Sequence, residues 1–202
     1  MHLRVVKLGG SLLTLPQLCD RLAQWYRSQV PALSLMVVGG GPLVDSIRDL
    51  TALHDYDEEF LHWLCIDVMD ISYRLLAAQL PAWSQVHSPM DLQRLLANQA
   101  AIVASGAAAL VRVSAFYDRE TESHLPLRLP HSWDTTSDSL AALLAQLTGA
   151  DELVLLKSCS IPGPQPKTLT DWEKLAGLGI VDRAFPLSTR GLKRVRCVNL
   201  LE

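Results

Sequence analysis

Val5-Val6-Lys7-Leu8-Gly9-Gly10-Ser11 and, thirty residues on, Leu35-Met36-Val37-Val38-Gly39-Gly40-Gly41-Pro42 share one pattern. Each is a short apolar run, then a glycine cluster, then a segment with helical spacing, which reads as a strand-to-helix turn. Glycines at such a turn let the backbone approach a ligand, and the helix N-terminus behind them favours an anion. Two such turns in one chain suggest two anionic groups brought together, as phosphoryl transfer requires.

The alternation continues along the chain. Leu3–Leu8 is broken only by Arg4 and Lys7, which suits a strand buried on both faces. Leu18, Leu22, Trp25 and Tyr26 recur at helical spacing between Pro16 and Pro31, and Ser34–Val38 is the second strand. Pro42 opens a helix, where proline is tolerated, with Leu43, Ile47 and Leu50 as its apolar face. A long helix is expected from about Asp57 to Leu80, with Phe60, Leu61, Leu64, Val68, Ile71, Leu75 and Leu76 on one stripe. A strand at Ser84–Val86, a helix at Pro89–Asn98 and a strand at Ala101–Ala104 follow, and Ala107–Val113 leans to strand. Tyr117–Pro130 reads as a loop. A helix from Thr136 or Ser137 to Leu147, ended by Gly149, leads to a strand at Glu152–Leu156. After a proline-rich loop at Ser160–Thr170 come a short helix from Asp171 and a last strand at Val195–Leu200. This order predicts one α/β domain with a mostly parallel sheet. Ligands gather at the carboxyl ends of such strands, where both glycine turns fall.

The 202 residues, 49% hydrophobic and 19% charged, suit a single well-cored domain. A net charge of −3 without a run of Lys or Arg speaks against nucleic acid as a partner. Arg194 and Arg196 alternate as residues of a solvated strand face would. The scattered Cys19, Cys65, Cys159 and Cys197 show neither CxxC nor zinc spacing and read as thiols in a reducing compartment. No uncharged apolar stretch reaches the roughly 18 residues of a membrane span, and the chain enters a strand at once. A cytoplasmic protein without a signal peptide is therefore expected.

No GxxxxGK[ST] loop is present, nor GxGxxG with an acidic residue at the next strand end. Lys7 interrupts an apolar strand. Because a buried, unpaired ammonium is costly, it either meets an anion at the strand's end or sits half-exposed at an edge. Lys157-Ser158 repeats the arrangement after Leu153–Leu156. In Trp133-Asp134-Thr135-Thr136-Ser137-Asp138-Ser139, capping explains Thr136 or Ser137. Asp134 and Asp138, four residues apart, either belong to that cap or face one pocket and hold a lysine or a metal.

KLGGS at 7–11, VVGGGP at 37–42 and SDSLAALLAQLTGADELVLLKS at 137–158 resemble, in order, the motifs of the amino acid kinase family. Its members transfer the γ-phosphoryl group of ATP to a carboxylate, carbamate or phosphate. The resemblance implies a three-layer αβα sandwich spanning 1–202, with the acceptor side roughly 1–130 and the nucleotide side roughly 131–202, and ATP with Mg2+ as cofactors. Lys7, Asp138 and Lys157 are then the catalytic group: Lys7 neutralises the transferring phosphoryl, Asp138 orients the lysines, and Lys157 approaches the nucleotide phosphates. Gly9, Gly10, Ser11 and Ser158 would hold phosphate oxygens, and Gly39, Gly40, Gly41, Arg48, His62 and Asp134 would serve the acceptor. No metal ligands are assigned. The chain lacks the family's C-terminal glycine-rich segment with a further lysine, leaving Lys174 and Lys193 as candidates.

Gly39–Gly41 with Asp45 and Arg48, His62-Trp63, Met69, the LLKS run, Gly179–Asp182 and Phe185 look like a narrower branch, the small kinases of one-carbon cofactor (methanofuran-type) biosynthesis. That branch implies an aminomethyl-furan phosphate acceptor, with His62 and Trp63 lining the furan pocket. Arg48 would pair with the acceptor phosphate or with Asp45 or Asp49. The expected partner is a small molecule. The long helix's stripe serves either a homodimer contact or the core. A non-catalytic nucleotide- or metabolite-binding regulator on the same fold is the second reading.

Overall fold

Leu3–Leu8 forms β1, and all six residues are buried because β2 (Leu33–Val38) and β5 (Glu152–Lys157) hydrogen-bond to it on either side. In this computed structural model, which describes residues 2–99, 103 and 108–202, β1 lies in the middle of a six-stranded sheet. The order is β3-β4-β2-β1-β5-β6, with β3 at Ser84–Val86, β4 at Ala108–Val111 and β6 at Val195–Asn199. Every pairing is parallel. The expected strand at 101–104 lies, apart from Val103, outside the described residues.

Strands buried on both sides need helices on both faces. On one face Val6, Leu8, Met36, Val38, Val154 and Leu156 pack with Leu18, Leu22 and Trp25 of α1 (Leu18–Arg27) and with Tyr73 and Leu76 of α3 (Glu58–Gln79). On the other, Val5, Leu35, Val37, Leu153 and Leu155 meet α5 (Ser137–Thr148), Leu92 and Leu95 of α4 (Pro89–Ala97), and Trp63 and Ile66 of α3. Trp172 of α6 (Leu169–Gly177) and Phe185 of α7 (Phe185–Ser188) close that layer. The fold is thus the expected three-layer αβα sandwich. Every residue of α5 from Ser137 to Ala145 is buried, as befits an apolar helix sandwiched between the sheet and other helices. Gly149 ends it in the left-handed conformation at φ 63°, which glycine adopts without steric cost.

Three expectations about surfaces are corrected. The helix opened by Pro42, α2 (Pro42–Thr51), has no buried residue, and Leu43 and Leu50 are exposed. On α3 the buried face runs through Leu61, His62, Trp63, Ile66, Met69, Tyr73 and Leu76, whereas Phe60, Ile71 and Leu75 of the predicted stripe point outward. An apolar residue on every side of one long helix gives two candidate stripes, and only packing chooses between them. Arg196, expected on a solvated face, instead donates from Nε to Glu152 at 2.9 Å, and buried Arg4 holds the same carboxylate at 2.8 Å. These ion pairs link β1, β5 and β6 at the sheet's amino end, away from the glycine turns. The side-chain amide of Gln165 exchanges both hydrogen bonds with Cys197, covering the outer edge of β6 as another strand would. Among the described residues, no helix is long and apolar enough to cross a membrane.

Candidate active site

The two glycine turns leave neighbouring strands side by side, and they touch each other. A Cβ on Gly10 would lie 2.2 Å from the Gly41 nitrogen, and one on Gly41 would lie 2.4 Å from the Gly10 carbonyl oxygen. Gly41 also sits at φ 57°, where a side chain is strained. The glycines are therefore required for backbone to pass backbone, as well as to open a cavity. Gly10→Ala is expected to cost about 3 kcal/mol or more in urea unfolding, since the clash is with main chain. By contrast Gly177→Ala, with no atom of the described residues within 4 Å of the added carbon, should be neutral or slightly stabilising. Equal effects at the two positions would contradict this packing.

Register places the cations. Lys7 pairs with Leu155, so Lys7 and Lys157, two residues farther along β5, project from the same face of the sheet. That face carries α5. Thr136 caps α5, and Asp138 in its first turn reaches down between the two lysines. Lys7 Nζ lies 3.0 Å from Asp138 Oδ1, and Lys157 Nζ donates to Oδ1 at 2.9 Å and Oδ2 at 2.7 Å. All three groups are buried. Burial pushes the Asp138 carboxyl up, but the two ammonium groups outweigh it and hold it at about 2. Burial drives Lys7 below the usual lysine range, with repulsion from Lys157 opposing what Asp138 restores. For Lys157 the same burial is outweighed by Asp138, which gives it both oxygens, and its pKa is raised. One carboxylate thus serves two ammoniums, and an anion arriving beside Lys7 favours its charged form.

Both lysines line a cavity of about 460 Å³, together with Gly9, Gly10, Ser11, Gly40, Gly41 and Ser158. Ser11 and Ser158 hydroxyls meet at 2.9 Å across the mouths of β1 and β5. Among the described residues no side chain caps the N-terminus of α2 at Gly41, so its dipole is open to an anion there. Arg48 and His62 also line the cavity. The Arg48 guanidinium pairs with Asp45 at 3.1 Å and lies over the Trp133 ring at 4.7 Å, joining α2 to the segment before α5. His62 Nε2 is 3.0 Å from the Tyr117 hydroxyl, and burial, reinforced by His131, lowers its pKa to about 4. It presents a neutral imidazole at pH 7.

Three sequence candidates stand apart from this wall. Gly39 spends its N–H on the Leu8 carbonyl at 3.0 Å and is absent from the cavity lining. Asp134 is also outside it, with its carboxylate 3.7 Å from exposed Arg183. Trp63 is core: it is 4% exposed and stacks on Tyr117. Two contributors were missed. Trp133 was read only as the start of a capping segment. Asp182, buried beside the cluster, accepts hydrogen bonds from Thr136 and Ser139. In the sequence it stood only as the end of the Gly179–Asp182 stretch that marks the narrower branch, with no role in the site.

Residues 2–160 match the amino acid kinase family. The chain belongs to that family. Solved structures agree in fold. A uridylate kinase from Archaeoglobus fulgidus superposes with a TM-score of 0.61 at 17% identity, over 98% of this chain and 92% of its own. A UMP kinase from Ureaplasma parvum gives 0.61 at 13% identity, over 100% and 92%. The aspartate kinase from Synechocystis gives 0.62 at 18% identity, over 96% of this chain but 38% of its own. No curated protein matches the sequence. As a member of the amino acid kinase family the chain is a kinase-type phosphotransferase by kinship.

Proposed function

We propose that the protein is an ATP-dependent small-molecule kinase that transfers the γ-phosphoryl group to a phosphate or carboxylate acceptor. The observation that carries this is the buried Lys7–Asp138–Lys157 cluster at the wall of a cavity shared by both glycine turns. Phosphoryl transfer asks the protein for positioning and charge neutralisation more than covalent chemistry, and these residues supply both. Lys157 and the Ser11 and Ser158 hydroxyls would hold the nucleotide phosphates, on the side formed by residues 131–202 with β1. Lys7 would neutralise the group in transit. Gly40, Gly41 and the open end of α2 would receive the acceptor, with Arg48 and neutral His62 around it, on the side formed by residues 1–130. Among the described residues, no group of three or more His, Cys, Asp or Glu is placed to hold a metal; in this reading Mg2+ would enter bound to the ATP phosphates.

An aminomethyl-furan phosphate, as in methanofuran-type cofactor assembly, is the acceptor we favour. Its flat ring suits the Trp133 and His62 surfaces, and its phosphate suits Arg48. The outward apolar face of α3, with Phe60, Ile71 and Leu75 each about half exposed or more, suits a second copy of the chain, and the setting we propose is cytoplasmic. The test is ADP release from Mg-ATP with a panel of phosphomonoesters, including the furan phosphate, and carboxylates. Turnover with at least one acceptor is expected. ATP binding without ADP release from any of them would replace this reading with the non-catalytic regulator. The feature favouring that alternative is the missing C-terminal lysine segment: neither Lys174 nor Lys193, the candidates to replace its lysine, lines the cavity, and Lys193 pairs with Asp151.

A further inference from the structure

We propose that Asp182 is a positioning residue that fixes the Lys7–Asp138–Lys157 cluster by holding both ends of the turn that carries Asp138. The role in turnover rests on the kinase reading above; the placement does not. One Asp182 oxygen accepts from the Thr136 amide at 2.9 Å, the Thr136 hydroxyl at 2.8 Å and the Ser139 amide at 3.0 Å, while the other accepts from the Ser139 hydroxyl. Thr136 is the N-cap of α5 and Ser139 its third residue. In a capping box the carboxylate at that third position would reach back to the N-cap amide. Here Ser139 cannot, and a carboxylate from 43 residues later in the chain performs the task for both ends at once. Asp138, between the two anchors, is left free to spend its own oxygens on the lysines.

The arrangement is tied to the cavity as well. Gly179 and Ile180, just before Asp182, line it, and the Ala184 amide donates to the Asp134 carbonyl at 2.9 Å. The segment bearing Asp182 is therefore stitched to the start of α5 on both sides of Asp138. The charged groups facing Asp182 are Asp138 on α5, Lys7 on β1 and Lys157 on β5. Arg183 next to it turns to Asp134 at the surface. With both carboxylates ionised, two negative charges balance two ammoniums. Burial, followed by repulsion from Asp138, raises the Asp182 carboxyl to about 6, so the balance changes within an accessible pH range.

The experiment follows the side-chain carbon resonances of the protein's five lysines against pH in the free protein, with Lys7 and Lys157 assigned by Lys→Arg variants. Both resonances are expected to show a step near pH 6 that Asp182→Asn removes. A step that persists in Asp182→Asn, or none in the wild type, overturns the proposal. Should circular dichroism show Asp182→Asn unfolded, Ser139→Ala decides. Loss of one donor to the ionised carboxylate should raise the step by about half a unit, and an unmoved step overturns it. In the turnover assay, folded Asp182→Asn should lose about tenfold or more in kcat, because a displacement of about 1 Å at reacting groups has that scale of effect. Wild-type kcat in that variant also overturns it. Because the titration needs no substrate, failure to find an acceptor would sink the kinase reading without touching this one.

Discussion

Lys7→Ala is expected to abolish turnover and leave the fold standing. The side chain sits on the central strand, is 5% exposed, and lines the cavity where both glycine turns meet. Its removal deletes one of the two lysines that line that cavity. Fixed charge in a water-poor site is worth far more than the same charge in water, and a loss of about 10³-fold in kcat corresponds to about 4 kcal/mol. Stability should change little by comparison. Asp138 keeps Lys157, which already engages both of its oxygens, and the lost ammonium was itself paying a desolvation penalty. Measuring ADP release beside thermal melting separates the two effects. A kcat near wild type would remove Lys7 from the reaction and the proposed site with it.

The sequence made the framework legible because its signals were local. Apolar runs ending in glycine, proline at a first helical turn and a glycine after Thr148 each report on their own few residues, and each reads correctly in the fold. Lys7 and Lys157 were legible for the same reason, since a cation in an apolar strand has few places to go. What escaped depends on partners far along the chain. Asp182 meets Thr136 across 46 residues, and Arg48 meets Trp133 from a separate element. The glycines show a subtler shortfall. Reading them as an open cradle for a ligand was half of the physics, since Gly10 and Gly41 also make room for each other, and Gly39 is committed to the sheet. On α3 the period of 3.6 was correct but the direction was not, because apolar residues lie on more than one side of the helix.

Asp138→Asn should differ from Lys7→Ala by damaging stability and turnover together. Asp138 is the carboxylate both ammoniums touch, so its neutralisation leaves two buried cations without their shared counter-charge. Removing one partner of a buried ion pair typically costs about 3–5 kcal/mol. Capping does not confuse the result, because Thr136 is the N-cap and supplies the acceptor for the Asp138 amide. The pH dependence has a definite sign. The folded carboxyl titrates at about 2, below its ordinary value of 3.8, so its stabilisation is complete above about pH 4 to 5 and fades as the pH falls through 2. The gap in unfolding free energy between wild type and Asp138→Asn should therefore be level near neutrality and close in strong acid. Turnover should fall with it, since the lysines lose the group that aims them, and no acceptor phosphate can substitute for a carboxylate fixed on α5. A variant that melts early yet keeps its kcat would show that Asp138 holds the fold alone, and the catalytic assignment of the cluster would have to move to the glycine turns and Arg48.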